Sequence, residues 1–217
     1  MKGLLKNNFY GILASTKVFL IFMLLLGICV TMMEKNTFMI IVYALLGIIG
    51  FSINAITSLR NESSSKWSKY KLTAPVKRAD IVRSYFLSQL IWLLAGMLFA
   101  GIEITLSILL HGSPFDRNID IFFVFATGTG ISLFTASLFF PLSYSGGTEK
   151  NQVFLIISLI GSIGIFVKLV DLLNTLFGSS MTTFQMILAG FIIIICSLLA
   201  FILSYLLTVG IFKKKEF

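Results

Sequence analysis

The sequence predicts an all-α polytopic membrane protein: six transmembrane helices, an N-terminal interfacial helix and a short amphipathic helix in the one substantial cytoplasmic loop. Three observations predict it. Six long apolar stretches fill almost the whole of the 217 residues, and a helix needs about 20 apolar residues to cross a bilayer. Charged residues make up only 12%, against about 25% in a soluble domain. With a mean hydropathy of +0.98, too little polar surface remains for a water-facing shell. Finally, the basic residues fall on alternate connections. Only helices and closed barrels satisfy their backbone in lipid. The apolar runs are continuous rather than alternating, which selects helices.

The elements follow in order. In residues 2–16, Leu5, Phe9, Ile12 and Leu13 fall at i, i+4, i+7 and i+8, with Lys2, Lys6 and Asn8 elsewhere. That stripe suits a helix at the membrane interface; a cytosolic extension of the first span is the alternative. The spans read as Val18–Met33, Phe38–Leu59, Ile81–Leu110, Ile121–Ser143, Val153–Leu173 and Phe184–Phe212. The first run ends in Thr31-Met32-Met33-Glu34 without a small-x-small cleavage site, so a cleaved signal peptide is not expected. The loops Glu34–Thr37 and His111–Asn118 are short, and Tyr144–Asn151 is short and contains glycine. Asp171–Thr183 carries Asn174, Gly178, Ser179 and Ser180 among apolar residues, and reads either as a re-entrant segment or as an ordinary loop. With no repeat or linker, residues 1–217 are expected to form a single membrane domain.

Charge placement sets the orientation. With six spans, Lys2, Lys6, Lys17, Arg60, Lys66, Lys69, Lys71, Lys77, Arg78, Arg83, Lys150, Lys213, Lys214 and Lys215 share one side. Only Lys35 and Arg117 lie in loops on the other, and Lys168 sits within a span. The positive-inside rule then puts both termini in the cytoplasm of a cell membrane. Charges that flank spans speak against nucleic acid as the partner.

The one substantial loop is 60–80, RNESSSKWSKYKLTAPVKRAD. Ser64 or Ser65 can cap a short helix running through Lys71, because a hydroxyl satisfies free amides. Trp67 and Tyr70 share a face, and Lys66, Lys69 and Lys71 surround them. Pro75 ends the helix, since the residue before proline avoids the helical region. The result is an amphipathic helix with an aromatic knob, suited to a cleft in a cytosolic protein or to lipid headgroups.

The run SSSKWSKYKLTAPVKRADIVRSYFL resembles the corresponding loop of type-2 ABC transporter permeases, in the small six-span subgroup whose ATPase is a separate chain. Lys66, Trp67, Tyr70, Leu72, Pro75, Val76, Arg78, Ile81 and Val82 stand at matching places. The opening MKGLLKNNFYGI is also similar, and permeases of phenol-soluble-modulin exporters have this look. Two departures stand out. Ser68 replaces the usual acid after Trp67, and Lys77 with Asp80 cannot form the capping box that Ser with an acid would. Asp80 is left to favour the helix start by its charge alone.

The resemblance implies a coupling helix seated in a groove of an ABC ATPase, with Lys66, Trp67, Lys69, Tyr70, Leu72, Pro75 and Arg78 as coupling residues. It implies two ATPase copies that hold ATP and Mg, and a second permease, identical or homologous. The expected substrate is an amphipathic or hydrophobic molecule, such as a cytolytic or antimicrobial peptide, moved outward. No cofactor is expected on this chain itself. It has no GxxxxGK[ST] loop, since Gly146-Gly147 leads into Thr148-Glu149-Lys150.

Polar residues within the spans are the remaining candidates. Glu103 is expensive in a bilayer, at roughly 3 kcal/mol for a central charge. It reads as a substrate-path residue or as a structural hydrogen-bonding group. Lys168 and Asp171 are placed to form an ion pair on one helix face, structural rather than a proton relay. Asn54 and Gln152 read as polar contacts near the cytosolic ends. His111 is the only histidine and no Cys neighbours it, so no metal site is expected. Cys29 and Cys196 lie in spans without a CxxC pattern, and neither a disulfide nor a catalytic residue is assigned. The glycine pairs 47/50, 128/130 and 161/164 suit close helix packing. The alternative function is a peptide-binding immunity or sensor protein without transport. An intramembrane enzyme lacks the HExxH, GxSxG or paired acidic groups it would need.

Overall fold

The computed structural model describes residues 2–32, 36–64, 78–115, 117–146, 150–178 and 181–214. These form six helices: α1 (Lys2–Met32), α2 (Thr37–Ser64), α3 (Arg78–His111), α4 (Asn118–Gly146), α5 (Asn151–Phe177) and α6 (Thr183–Lys214). Five of them, α2 to α6, are each long and apolar enough to cross a membrane, and α1 adds a sixth when its two bent arms are taken as one span.

The helix ends follow local chemistry. The Asn36 side-chain oxygen accepts the Met39 amide at 3.3 Å and opens α2. At the start of α6, Thr182 and Gln185 form a capping box: the Thr182 amide donates to Gln185 Oε1 at 2.8 Å, and the Gln185 amide to Thr182 Oγ1 at 3.4 Å. Gly178 takes φ +83°, a left-handed value that favours glycine, and its amide donates to the Asn174 carbonyl at the end of α5. Asp171 to Phe177 therefore continues α5 rather than re-entering the membrane. The helix expected from Ser64 or Ser65 to Lys71 lies outside the described residues, and Arg78 is already helical in α3.

α1 corrects one expectation. It is helical without interruption from Lys2 to Met32 but bends by 51° between the arms Gly3–Leu13 and Thr16–Met32. The face that the first arm turns to the other helices includes a polar residue. Asn8 and Ile12 are fully buried and Leu13 half-buried, while Phe9 is exposed along one side. Asn8 turns inward because it has a polar partner there: its side-chain amide donates to Ser84 Oγ of α3 at 3.1 Å. With Thr16, Met23, Gly27 and Val30 the buried stripe continues across the bend, so α1 lies along α2 and α3 for its whole length.

The most extensive contacts join α4 to α6 and α2 to α3, while α5 rests mainly on α4. Small residues permit the close pairs. A Cβ on Gly96 of α3 would lie 3.0 Å from the Gly47 carbonyl and 3.0 Å from Ile48 Cα of α2. One on Gly190 of α6 would strike the Phe122 ring of α4. The α4–α5 contact is held by hydroxyls: Thr135 Oγ1 and Ser162 Oγ are 2.7 Å apart, and Ser143 Oγ donates to Asn151 Oδ1 at 2.7 Å. Interhelical hydrogen bonds of this kind hold helices together where lipid removes the hydrophobic driving force. Pro141 lies within α4 and cannot donate to the carbonyl of Ser137. That carbonyl instead accepts Ser204 Oγ from α6 at 2.7 Å.

Candidate functional site

The coupling residues Lys66, Trp67, Lys69, Tyr70, Leu72 and Pro75 lie outside the described residues. Arg78 is the first residue of α3. What the structure describes is the pair of helices on which the loop hangs. α2 and α3 meet with their backbones in contact at Gly47 and Gly96, and Gln89 Nε2 donates to Ser52 Oγ between them. Backbone atoms cannot yield as a flexible side chain can, so this junction resists sliding. Below it, the first arm of α1 is fastened to α3. Asn8 donates to Ser84, and the Phe9 ring stacks on Trp92 with centroids 5.4 Å apart. Ser84 Oγ in turn donates to the Ile81 carbonyl at 2.7 Å. The two ends of the loop thus enter one packed unit of α1, α2 and α3.

Glu103 lies farther along this unit. It is 7% exposed and faces Gly27 of α1 and Tyr43 of α2. A Cβ on Gly27 would lie 3.0 Å from both Glu103 Oε2 and the Tyr43 hydroxyl. That hydroxyl donates to the Met23 carbonyl at 3.1 Å, and Glu103 Oε1 is buried without a hydrogen-bond partner among the described residues.

Cavities lie between the described helices. A groove of about 670 Å³ between α3 and α4 is lined by Met97, Leu98, Gly101, Ile102, Thr105 and Phe125, among others, and is almost wholly apolar. A crevice of about 320 Å³ between α4, α5 and α6 is lined by Phe123, Leu173, Asn174, Met181, Met186 and Ala189, with Val170. Glu103 lines neither.

Lys168 and Asp171 are both exposed on α5, and no ion pair joins them. An exposed pair gains little for the side-chain entropy it gives up. Asn54 does not bridge helices but donates to the Gly50 carbonyl of its own helix at 3.0 Å. His111 closes α3 rather than lying in a loop. Cys29 and Cys196 are free thiols. Among the described residues no group of three or more His, Cys, Asp or Glu could hold a metal ion.

Residue spacing alone did not single out Tyr43, Gly27, Ser84 or Ser204. Each acquires its role from a neighbour on another helix. The faint signals were a tyrosine hydroxyl and a glycine within apolar runs, where a polar atom needs a partner.

Compared with known proteins, residues 3–213 match the family described as ABC-2 family transporter protein. No curated protein and no solved structure matches the chain.

Proposed function

Because the chain belongs to the ABC-2 family of transporter proteins, and so is a membrane permease subunit of an ABC transporter with an ATPase partner, we propose that it exports amphipathic or hydrophobic substrates. Cytolytic or antimicrobial peptides are the substrate class that fits best. The coupling-type string in residues 60–80 supports the view that a separate ATPase grips this loop. Two ATPase copies would carry ATP and Mg, and a second permease, identical or homologous, would complete the path.

The observation that carries this reading is where the loop is anchored. It joins α2 and α3, whose backbones touch at Gly47 and Gly96, and α1 is fastened to the same pair through Asn8 and Ser84. A displacement imposed on the loop therefore moves three helices together. The apolar groove beside Gly101 and Phe125 lies on the flank of this moving unit, where an apolar substrate face would meet it.

The test is purification of the tagged chain from its own membrane in mild detergent. A P-loop ATPase should co-purify in stoichiometric amount. Trp67→Ala with Tyr70→Ala should lower its recovery at least tenfold while leaving insertion intact; removing paired aromatic anchors at an interface costs about 2 kcal/mol or more. Equal ATPase recovery with the mutant would remove the docking role from the loop. A folded chain that arrives without ATPase would favour a peptide-binding immunity or sensor function.

A further inference from the structure

Glu103 combines three features that the transport reading leaves unused. Its side chain is more than nine-tenths buried. Among the described residues Oε1 has no hydrogen-bond partner, and no basic side chain lies within ion-pair reach of the carboxylate. Its surroundings are also tight. The place a methyl would take on Gly27 is 3.0 Å from Oε2 and 3.0 Å from the Tyr43 oxygen.

We propose that the Glu103 carboxyl is a proton-binding site inside the helix junction, and that its bound proton lets α1 seat on α2 and α3. The geometry selects the ligand. A buried carboxylate must be hydrogen-bonded, paired or neutralised. The Tyr43 hydroxyl is already engaged as donor to the Met23 carbonyl. Among the described residues no lysine or arginine pairs with it, and no cluster of His, Cys, Asp or Glu could hold a metal ion there. A proton adds no volume. It comes from bulk water and converts the carboxylate to a carboxylic acid without any other bond changing.

Groups from two helices face it among the described residues. From α1 come Gly27 and the Met23 carbonyl, and from α2 comes Tyr43. Cys29 of α1 is exposed, and His111 lies about two turns further along α3. When the proton leaves, only water drawn between α1 and the α2–α3 pair can solvate the anion, so α1 loosens. This assigns Glu103 to the helix junction rather than to a substrate path, and it stands independently of the direction or cargo of transport.

The test uses the full chain in lipid nanodiscs and infrared difference spectroscopy. At neutral pH the wild type should show the carbonyl stretch of a protonated carboxylic acid, and Glu103→Gln should lack it. The band should fade as the pH is raised. Glu103→Gln, a neutral isostere, should keep the wild-type melting temperature and lose the wild type's decline in melting temperature at high pH. Three results would each overturn the proposal. One is a wild-type spectrum with only ionised carboxylate. Another is a carboxyl spectrum or stability that depends on sodium against choline at fixed pH, which would make this a metal-cation site. The third is a Glu103→Gln chain that fails to fold, since a neutral group is what the junction should accept.

Discussion

The hydroxyl of Ser204 takes the place of an amide that Pro141 cannot supply. Proline leaves the Ser137 carbonyl without its helical donor, and Ser204 Oγ reaches it from α6 at 2.7 Å. Ser204→Ala should destabilise the folded chain by about 1–3 kcal/mol, the cost of a buried acceptor left unpaired. Adding Pro141→Ala should return most of that loss, because an alanine amide at 141 can bond Ser137 within α4. Reversible denaturation in mixed micelles across the four variants measures the coupling. The pairing was not legible in the sequence, since it depends on the register of α6 against α4. Glu103 was legible as an expensive residue, because a carboxylate in an apolar run stands out by itself. That Gly27 and Tyr43 close around it was not, as both belong to other helices.

At the scale of the helices, the apolar runs placed all six, and the structure mostly extends their ends, as at Arg78 and Phe177. Polar residues such as Asn118 and Asn151 begin a helix without being apolar, so hydropathy alone stops short of them. The first arm of α1 was legible as helical, but its protein-facing residue Asn8 was not. Periodicity counts apolar side chains, whereas Asn8 is drawn inward by Ser84.

Close packing gives a prediction at this scale. Gly96→Ala places its methyl against backbone atoms of α2 at 3.0 Å, which cannot give way cheaply. It should cost about 1–3 kcal/mol and separate α2 from α3. Gly164→Ala on α5 meets nothing within 4 Å and should be neutral, or stabilising by about 0.5–1 kcal/mol through helix propensity. Thermal unfolding of the two variants, monitored by near-ultraviolet circular dichroism in detergent, separates them. Equal melting temperatures would show that the α2–α3 junction can relax.

For the whole molecule, the number of spans and the membrane class were legible because they rest on sums over many residues. The arrangement of the helices was not, since apolar stripes of equal strength can pair in several ways. Orientation rests on the distribution of Lys and Arg and has its own test. With Cys29 and Cys196 replaced by serine, single cysteines at Lys35 and Arg117 should react with a membrane-impermeant maleimide on intact cells. A cysteine at Lys150 should react only after permeabilisation, and the opposite pattern would invert the topology. The Ser137–Ser204 bond also has a consequence for biogenesis. The chain is made in order, so α4 reaches the insertion machinery while α6 is still unsynthesised. Until the final helix arrives, α4 carries a bare carbonyl that lipid cannot satisfy. It should linger in a protein-lined or hydrated setting, and a chain truncated before Ser204 should be the form that membrane quality control removes.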